Sequence, residues 1–143
     1  MTSNWRDERG SAAVEITMVA PVLVLFILVI IFGGRLALAR QAVQSAAFDA
    51  ARAASLARTQ TDARTAAAKT AAATLANQKL PCASTRLDLD TTGFTKPVGT
   101  PATVTVRLVC DVATGDLGLP GIAAAVSVDA EATSPLDVYR ERK

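Results

Sequence analysis

The stretch that decides the fold is residues 10–34, which read GSAAVEITMVAPVLVLFILVIIFGG. From Ile16 to Gly34 it holds 19 residues without a charge, close to the roughly 20 that a helix needs to cross a ~30 Å hydrocarbon layer. The carboxylate of Glu15 stands directly before them. An ionised side chain near lipid is costly, so it is by default a candidate for function. The stretch therefore predicts a transmembrane helix over residues 11–34 with a functional acid near its start.

The spacing between Gly10 and Glu15 suggests what the acid does. If a peptidase cuts after Gly10, Ser11 gains a free α-amino group, which is largely protonated at neutral pH. That amine and Glu15 then lie one helical turn apart. They can pair within one chain, or Glu15 can reach the amine of a neighbouring copy. Residues 1–10, which are polar and of mixed charge, would form a short cytoplasmic leader.

Residues 35–79 predict an Ala-rich amphipathic helix that extends the apolar one. They contain no Gly or Pro and 18 Ala, the best helix former. A continuous helix from Ser11 to Gln78 would be about 100 Å long. Small residues recur at three-to-four-residue spacing, which suits lateral packing between copies or packing on the chain's own C-terminal domain. Beyond Thr59 the helix is expected to be solvated or frayed. The stripe comprises Ala39, Val43, Ala46, Ala50, Ala53 and Ala57.

Residues 80–143 predict a small β domain. Leu80-Pro81 ends the helical pattern, and apolar and polar residues then alternate over 85–90, 102–112 and 125–133. An antiparallel sheet of about three strands is the simplest arrangement, so the fold class is α+β. We expect the charged tail, residues 136–143, to fray. Turns are predicted at Gly93, Pro97, Gly99 and Pro101, and again at Gly115, Gly118, Pro120 and Gly121. One face of the strongest strand carries Val104, Val106, Leu108 and Cys110.

The two cysteines, Cys82 and Cys110, both follow the apolar segment. One disulfide in an oxidising compartment is the natural pairing, and two free buried thiols are the alternative. In the loop-entropy model a bridge of this span is worth on the order of 3–4 kcal/mol. The arginines on either side of the apolar segment are balanced in number, so the cysteines decide the orientation and favour an exported C-terminal part.

Composition excludes several classes of function. The chain has no histidine and a net charge of +2, which rules out a Ser-His-Asp triad and gives no basic stripe for nucleic acid. The pairs Asp88/Asp90 and Asp129/Glu131 raise a calcium hypothesis, but no EF-hand spacing occurs, so a solvated face is the better interpretation. We expect no catalytic, cofactor-binding or metal-binding residues and no enzymatic activity.

The arrangement of Gly10, Ser11 and Glu15 before an apolar stretch resembles the class III processing signal of type IV prepilins. The longer string RGSAAVEITMVAPVLVLFILVIIFGGRLALARQAVQSAAFDAARAA, residues 9–54, is similar to the N-terminal region of TadE-like proteins, the pilin-like components of tight-adherence (Tad, Flp-type) pilus systems. Ile16 stands where major Flp pilins often have a tyrosine. The exported domain is also larger than that of the major pilins, and both differences favour a minor pilin or pseudopilin.

The resemblance implies a pilin-like fold and a structural role. A prepilin peptidase would cleave after Gly10 on the cytoplasmic face and leave Ser11 as the first residue, and Glu15 would guide docking through a neighbour's amine. The partners would be the membrane, other pilins and the assembly platform proteins, in a homo- or hetero-oligomer. The chain would be a single-pass cytoplasmic membrane protein with an exported C-terminal domain, incorporated into a pilus at the cell surface.

A second processing signal leaves an alternative open. Ala37-Leu38-Ala39 has the small-x-small form of a signal-peptidase site. Cleavage there would release a soluble protein beginning at Arg40, a secreted binding or adhesion module. Without any cleavage, the chain would remain a signal-anchored module of the same kind.

Overall fold

The structure is a computed structural model that describes residues 8–113 and 125–139, with side-chain environments from residue 15 onward. It comprises helices α1 (Glu8–Ser55) and α2 (Gln60–Asn77), followed by strands β1 (Cys82–Asp90), β2 (Thr103–Ala113) and β3 (Ala125–Pro135), with a 3₁₀ turn at Thr92–Thr95. The predicted α+β class, with a long N-terminal helix before a three-stranded antiparallel sheet, is confirmed. The chain divides into two compact units at the Leu36–Ala37 bond.

The first unit is the N-terminal part of α1. The helix continues through Pro21 without ending, although proline lacks the N–H that would close a turn. Its large apolar side chains from Ile16 to Ile31 are exposed, except Leu28, which is half-buried. No described residue of this unit covers the exposed ones.

The second unit begins with the rest of α1, and here the expectation of one uninterrupted helix is wrong. α1 ends at Ser55, four residues follow, and α2 begins at Gln60. The hydroxyl of Thr59 accepts a hydrogen bond from the N–H of Asp62 at 3.0 Å, which satisfies one of the N–H groups left free at a helix start. The hydroxyl of Thr74 donates to Asp49 at 3.0 Å, so α2 lies beside α1.

Because the helix breaks between α1 and α2, a second face of small residues, on α2, is also buried within the second unit. α2 buries Ala63, Ala67, Ala71 and Leu75, so the expectation that the chain is solvated or frayed beyond Thr59 is also wrong. At the start of α2, Arg64 donates to the Thr91 hydroxyl at 3.4 Å. That hydroxyl in turn donates to Gln60 at 3.3 Å. These bonds join α2 to the residue that follows β1.

The stripe on α1 packs against the chain's own domain. Ala39, Val43, Ala46 and Ala50 are at most 2% exposed, whereas Ala53 and Ala57 are half-buried. The stripe is wider than predicted, because further residues are buried beside it. These are Ala42, Ala47, Ala51 and Ala54.

The sheet has the order β1-β2-β3, with both pairs antiparallel. The predicted face of β2 is confirmed as the core, because Val104, Val106, Leu108 and Cys110 are 0% exposed. Burying a side chain of this size stabilises the fold by about 1.5–3 kcal/mol. β1 begins at Cys82, earlier than the alternation indicates, and has an irregular register between Cys82 and Ser84.

The first predicted turn region contains two glycines, and a different structural constraint favours glycine at each position. A Cβ at Gly93 would lie 2.2 Å from the carbonyl oxygen of Thr103, so space is lacking. Gly99 has open space but a φ of +90°, which a residue with a Cβ adopts only at a cost. The second turn region, at Gly115, Gly118, Pro120 and Gly121, lies outside the described residues.

The start of the predicted tail is held in place, so the expectation of fraying is wrong there. Leu136 is buried, and its N–H donates to the carbonyl of Ala102 at 2.8 Å. The carbonyl of Val138 accepts from the N–H of Gly99 at 2.9 Å. Residues 140–143 lie outside the described part of the chain.

Candidate functional site

The exposed apolar segment of α1 is the first component of the site. In residues 8–113 and 125–139, α1 is the one helix long and apolar enough to cross a membrane. Monomeric soluble proteins rarely expose a contiguous apolar surface of this extent, and such surfaces typically mark membrane or protein contacts.

The residues of the predicted processing signal lie at the start of the same helix. Gly10 and Ser11 have helical backbone, because α1 begins at Glu8. Glu15 lies four positions after Ser11, which is a rise of about 6 Å along a helix. The Glu15 side chain is exposed. The structure thus brings the acid to within about one turn of the residue that cleavage would make the first. The cleavage itself stays a prediction.

A disulfide joins Cys82 at the start of β1 to Cys110 in β2. The S–S distance is 2.04 Å and the Cα atoms are 5.5 Å apart. Cys110 is fully buried and Cys82 is half-buried. The bridge holds the first strand to the central one beside the irregular register, where backbone pairing is weakest.

The outer face of the sheet is polar and extensively hydrogen-bonded. Asp111 accepts hydrogen bonds from the hydroxyls of Ser127 and Ser84. These bonds lower the pKa of its carboxyl, Ser127 contributing most, and the nearby Arg86 lowers it further. No spacing along the sequence signals this cluster, because its three members come from three strands and meet only once the register is set.

The two carboxylate pairs that raised the calcium hypothesis lie on this same outer face. Asp129 forms an ion pair with Arg107, in which the guanidinium nitrogen and the carboxylate oxygen are 3.3 Å apart. Asp90 accepts a hydrogen bond from the N–H of Thr92 at 2.9 Å, which lowers the pKa of its carboxyl. Within the described ranges no group of three or more His, Cys, Asp or Glu residues could hold a metal ion.

Two grooves flank the helices, and neither was predicted from the sequence. One, of about 460 Å³, lies between α1 and β3 and includes Phe48, Arg52 and Thr133 in its lining. Phe48 is 55% exposed there. The other, of about 390 Å³, lies between α2 and β1 and is lined mostly by apolar side chains, among them Leu75 and Leu87. Neither contains a constellation for covalent chemistry.

Comparison with known proteins gives one family match. Residues 10–52 match the model of the family described as TadE-like protein. The match begins at Gly10, includes Ser11 and Glu15, and ends within the buried part of α1. It confirms the predicted resemblance over this part of the chain. No curated protein and no solved structure matches the chain.

Proposed function

Starting from the TadE-like match of residues 10–52, we propose that the chain is a membrane-anchored minor pilin or pseudopilin of a tight-adherence pilus. A prepilin peptidase removes residues 1–10, and the new amine of Ser11 pairs with Glu15 of a neighbouring subunit. The protein acts in pilus assembly or initiation through helix packing, with other pilins and the assembly platform proteins as partners.

The observation that carries the proposal is the exposed apolar helix with one acid at its start. An unpaired carboxylate beside lipid is unfavourable, and a desolvated charge gains most from a partner of opposite sign. The Ser11 amine is such a partner, and only cleavage creates it. Processing and docking are thereby linked through Glu15.

The disulfide supports an orientation with the C-terminal unit exported. Disulfides persist in oxidising compartments and are rare in the cytosol. Cys82 and Cys110 both lie in the second unit, which supports a topology with that unit outside the cytoplasmic membrane and the leader in the cytoplasm.

Cleavage by signal peptidase after Ala39 is the weaker alternative, if the released part of the chain is to stay folded. Ala39 is 2% exposed and lies in the part of α1 that belongs to the second unit. A cut there would separate the apolar anchor from the domain and leave Arg40 as the first residue of a secreted binding module.

Mass spectrometry of the mature N-terminus tests the processing step. The full chain is produced with and without a prepilin peptidase, alongside the matched variants Gly10→Leu and Ala39→Leu. We expect Ser11 as the first residue in the parent and in Ala39→Leu, and an intact leader in Gly10→Leu. Arg40 as the first residue of the parent, or an intact leader with active peptidase, would overturn the proposal.

A second experiment tests the role of the acid. In a strain that lacks the native copy, Glu15→Val and Glu15→Gln should abolish or sharply reduce pili, whereas Glu15→Asp should retain part of the function because it keeps the charge. Thr17→Val, two residues further along the helix, serves as the control. If Glu15→Val supports as many pili as the parent, Glu15 has no docking role.

A further inference from the structure

Charge is divided unevenly between the two layers of the second unit. The helical layer, residues 37–80, carries six basic and two acidic residues. The strand layer, residues 82–113 and 125–139, carries three basic and six acidic residues. The layers meet through apolar side chains such as Ala46 and Val106. The core between the layers is thus apolar, and the charged side chains of the two layers differ in their balance of sign.

The acidic surface is the outer face of the sheet, defined by Asp88, Asp90, Asp111, Asp129 and Glu131. At its centre Arg107 pairs in register with Asp88 on one side and with Glu131 on the other. Its guanidinium donates to Asp129 at 3.3 Å. One cation thus stands among three carboxylates. Asp88 and Glu131 make no ion pair within the described part of the chain, so this face retains an excess of negative charge.

The basic surface is the set of exposed basic residues Arg52, Arg58, Lys69 and Lys79 on the helical layer, which also carries the exposed acids Asp49 and Asp62. None of the four basic residues makes an ion pair with any residue in the described ranges. Arg52 lines the 460 Å³ groove together with Phe48, which is 55% exposed. An arginine beside an exposed aromatic ring is a combination that protein interfaces favour.

We propose that the acidic surface of one copy docks on the basic surface of a second copy. Two different patches meet in such a contact, so it is heterologous and can repeat along a row of subunits. A second copy is the occupant because the same molecule carries both complementary charges. A polyanion would cover the basic surface alone, and a basic protein would cover the acidic surface alone. This contact is independent of Glu15 and goes beyond the proposed role of the apolar helix.

Exchanging one charge from each surface tests the contact. The full chain is reconstituted in detergent micelles, and association is measured by energy transfer between differently labelled copies. Arg52→Glu and Asp88→Lys should each weaken association by at least about threefold, since each replaces an attraction by a repulsion. The double variant should recover it, and raising the salt concentration should weaken the parent. Arg52 borders β3, whereas Asp88 lies on β1, two strands away. Recovery of association in the double variant therefore reports pairing between copies.

The controls separate this contact from other causes. Lys96→Glu changes the charge by the same amount outside both surfaces and should leave association unchanged. Glu15→Val should retain the salt-sensitive association, which distinguishes this contact from docking through the helix. If Arg52→Glu fails to fold, as judged by hydrogen exchange of β2, Arg52→Gln replaces it. Unchanged association in the single variants, additive loss in the double variant, or association only with added nucleic acid or another pilin would overturn the proposal.

Discussion

Replacing Ala46 by leucine tests the packing of α1 on the sheet. Ala46 is 0% exposed, so the three additional carbon atoms of leucine have no free volume to occupy. Overpacking of a well-filled interior typically costs about 1–3 kcal/mol. For a unit of this size, each kcal/mol lowers Tm by roughly 4–8 °C. We therefore expect a loss of roughly 5–20 °C in the Tm of the second unit.

The control is Ala73→Leu on α2, where the alanine is exposed. Alanine and leucine differ little in helix propensity, so this variant should leave the stability almost unchanged. Both are compared in the full chain in detergent micelles, by thermal unfolding and by hydrogen exchange of the peptides that contain β2. Exchange there reports opening of the buried sheet and is insensitive to the first unit.

The result that would refute this reasoning is an Ala46→Leu variant as stable as the parent. Such a result would mean that the Ala stripe packs against other copies and that the contact within one chain is dispensable. Loss of stability in Ala46→Leu and Ala73→Leu alike would instead point to a general effect of the added leucine.

Three further predictions concern the second unit. Gly93→Ala should lower its free energy of unfolding by about 1–3 kcal/mol in denaturant titrations, because the new Cβ would lie 2.2 Å from the Thr103 carbonyl oxygen; a variant as stable as the parent would contradict the close contact. Replacing Cys82 and Cys110 together by serine should cost about 2–4 kcal/mol in the same titration, and reducing agent should destabilise the parent but not this variant. The pKa of Asp111 is lowered in the folded chain by hydroxyl hydrogen bonds, so its contribution to stability is present above the unfolded pKa and is lost as pH falls below about 4. Asp111→Asn should therefore show a shallower acid-induced loss of stability, and an identical pH profile would contradict this assignment.

The sequence predicted several elements because their causes are local. The apolar run after Glu15 indicates a membrane-length helix by its length alone. Strand alternation around Val106 depends on a period of two, which each strand carries within itself. The pairing of Cys82 with Cys110 needed no geometry, because the chain has two cysteines.

The predictions from sequence were wrong where two local backbone structures have similar energies. Alanine-rich sequence favours helix on both sides of Thr59, although Thr59 with Asp62 three residues later is a local signal for a helix start. The break becomes favourable once α2 can bury its own small residues, among them Ala67 and Ala71, which are at most 2% exposed. The position of Leu136 was likewise not predictable from local sequence. Its side chain is buried, and its N–H donates to the carbonyl of Ala102, which is distant in sequence.

The sequence by itself determined the apolar helix, the acid at its start, the number of strands and the one cysteine pair. Each of these is set by residue type and short-range spacing. Tertiary structure alone decided that the Ala stripe is covered by the chain's own domain, that the helix breaks before α2, and that Asp111 meets two serines from other strands. It also brought Asp88, Arg107 and Glu131 side by side on the outer face of the sheet. These features depend on which distant residues become neighbours, and that is fixed by the combined burial of both helices and the sheet.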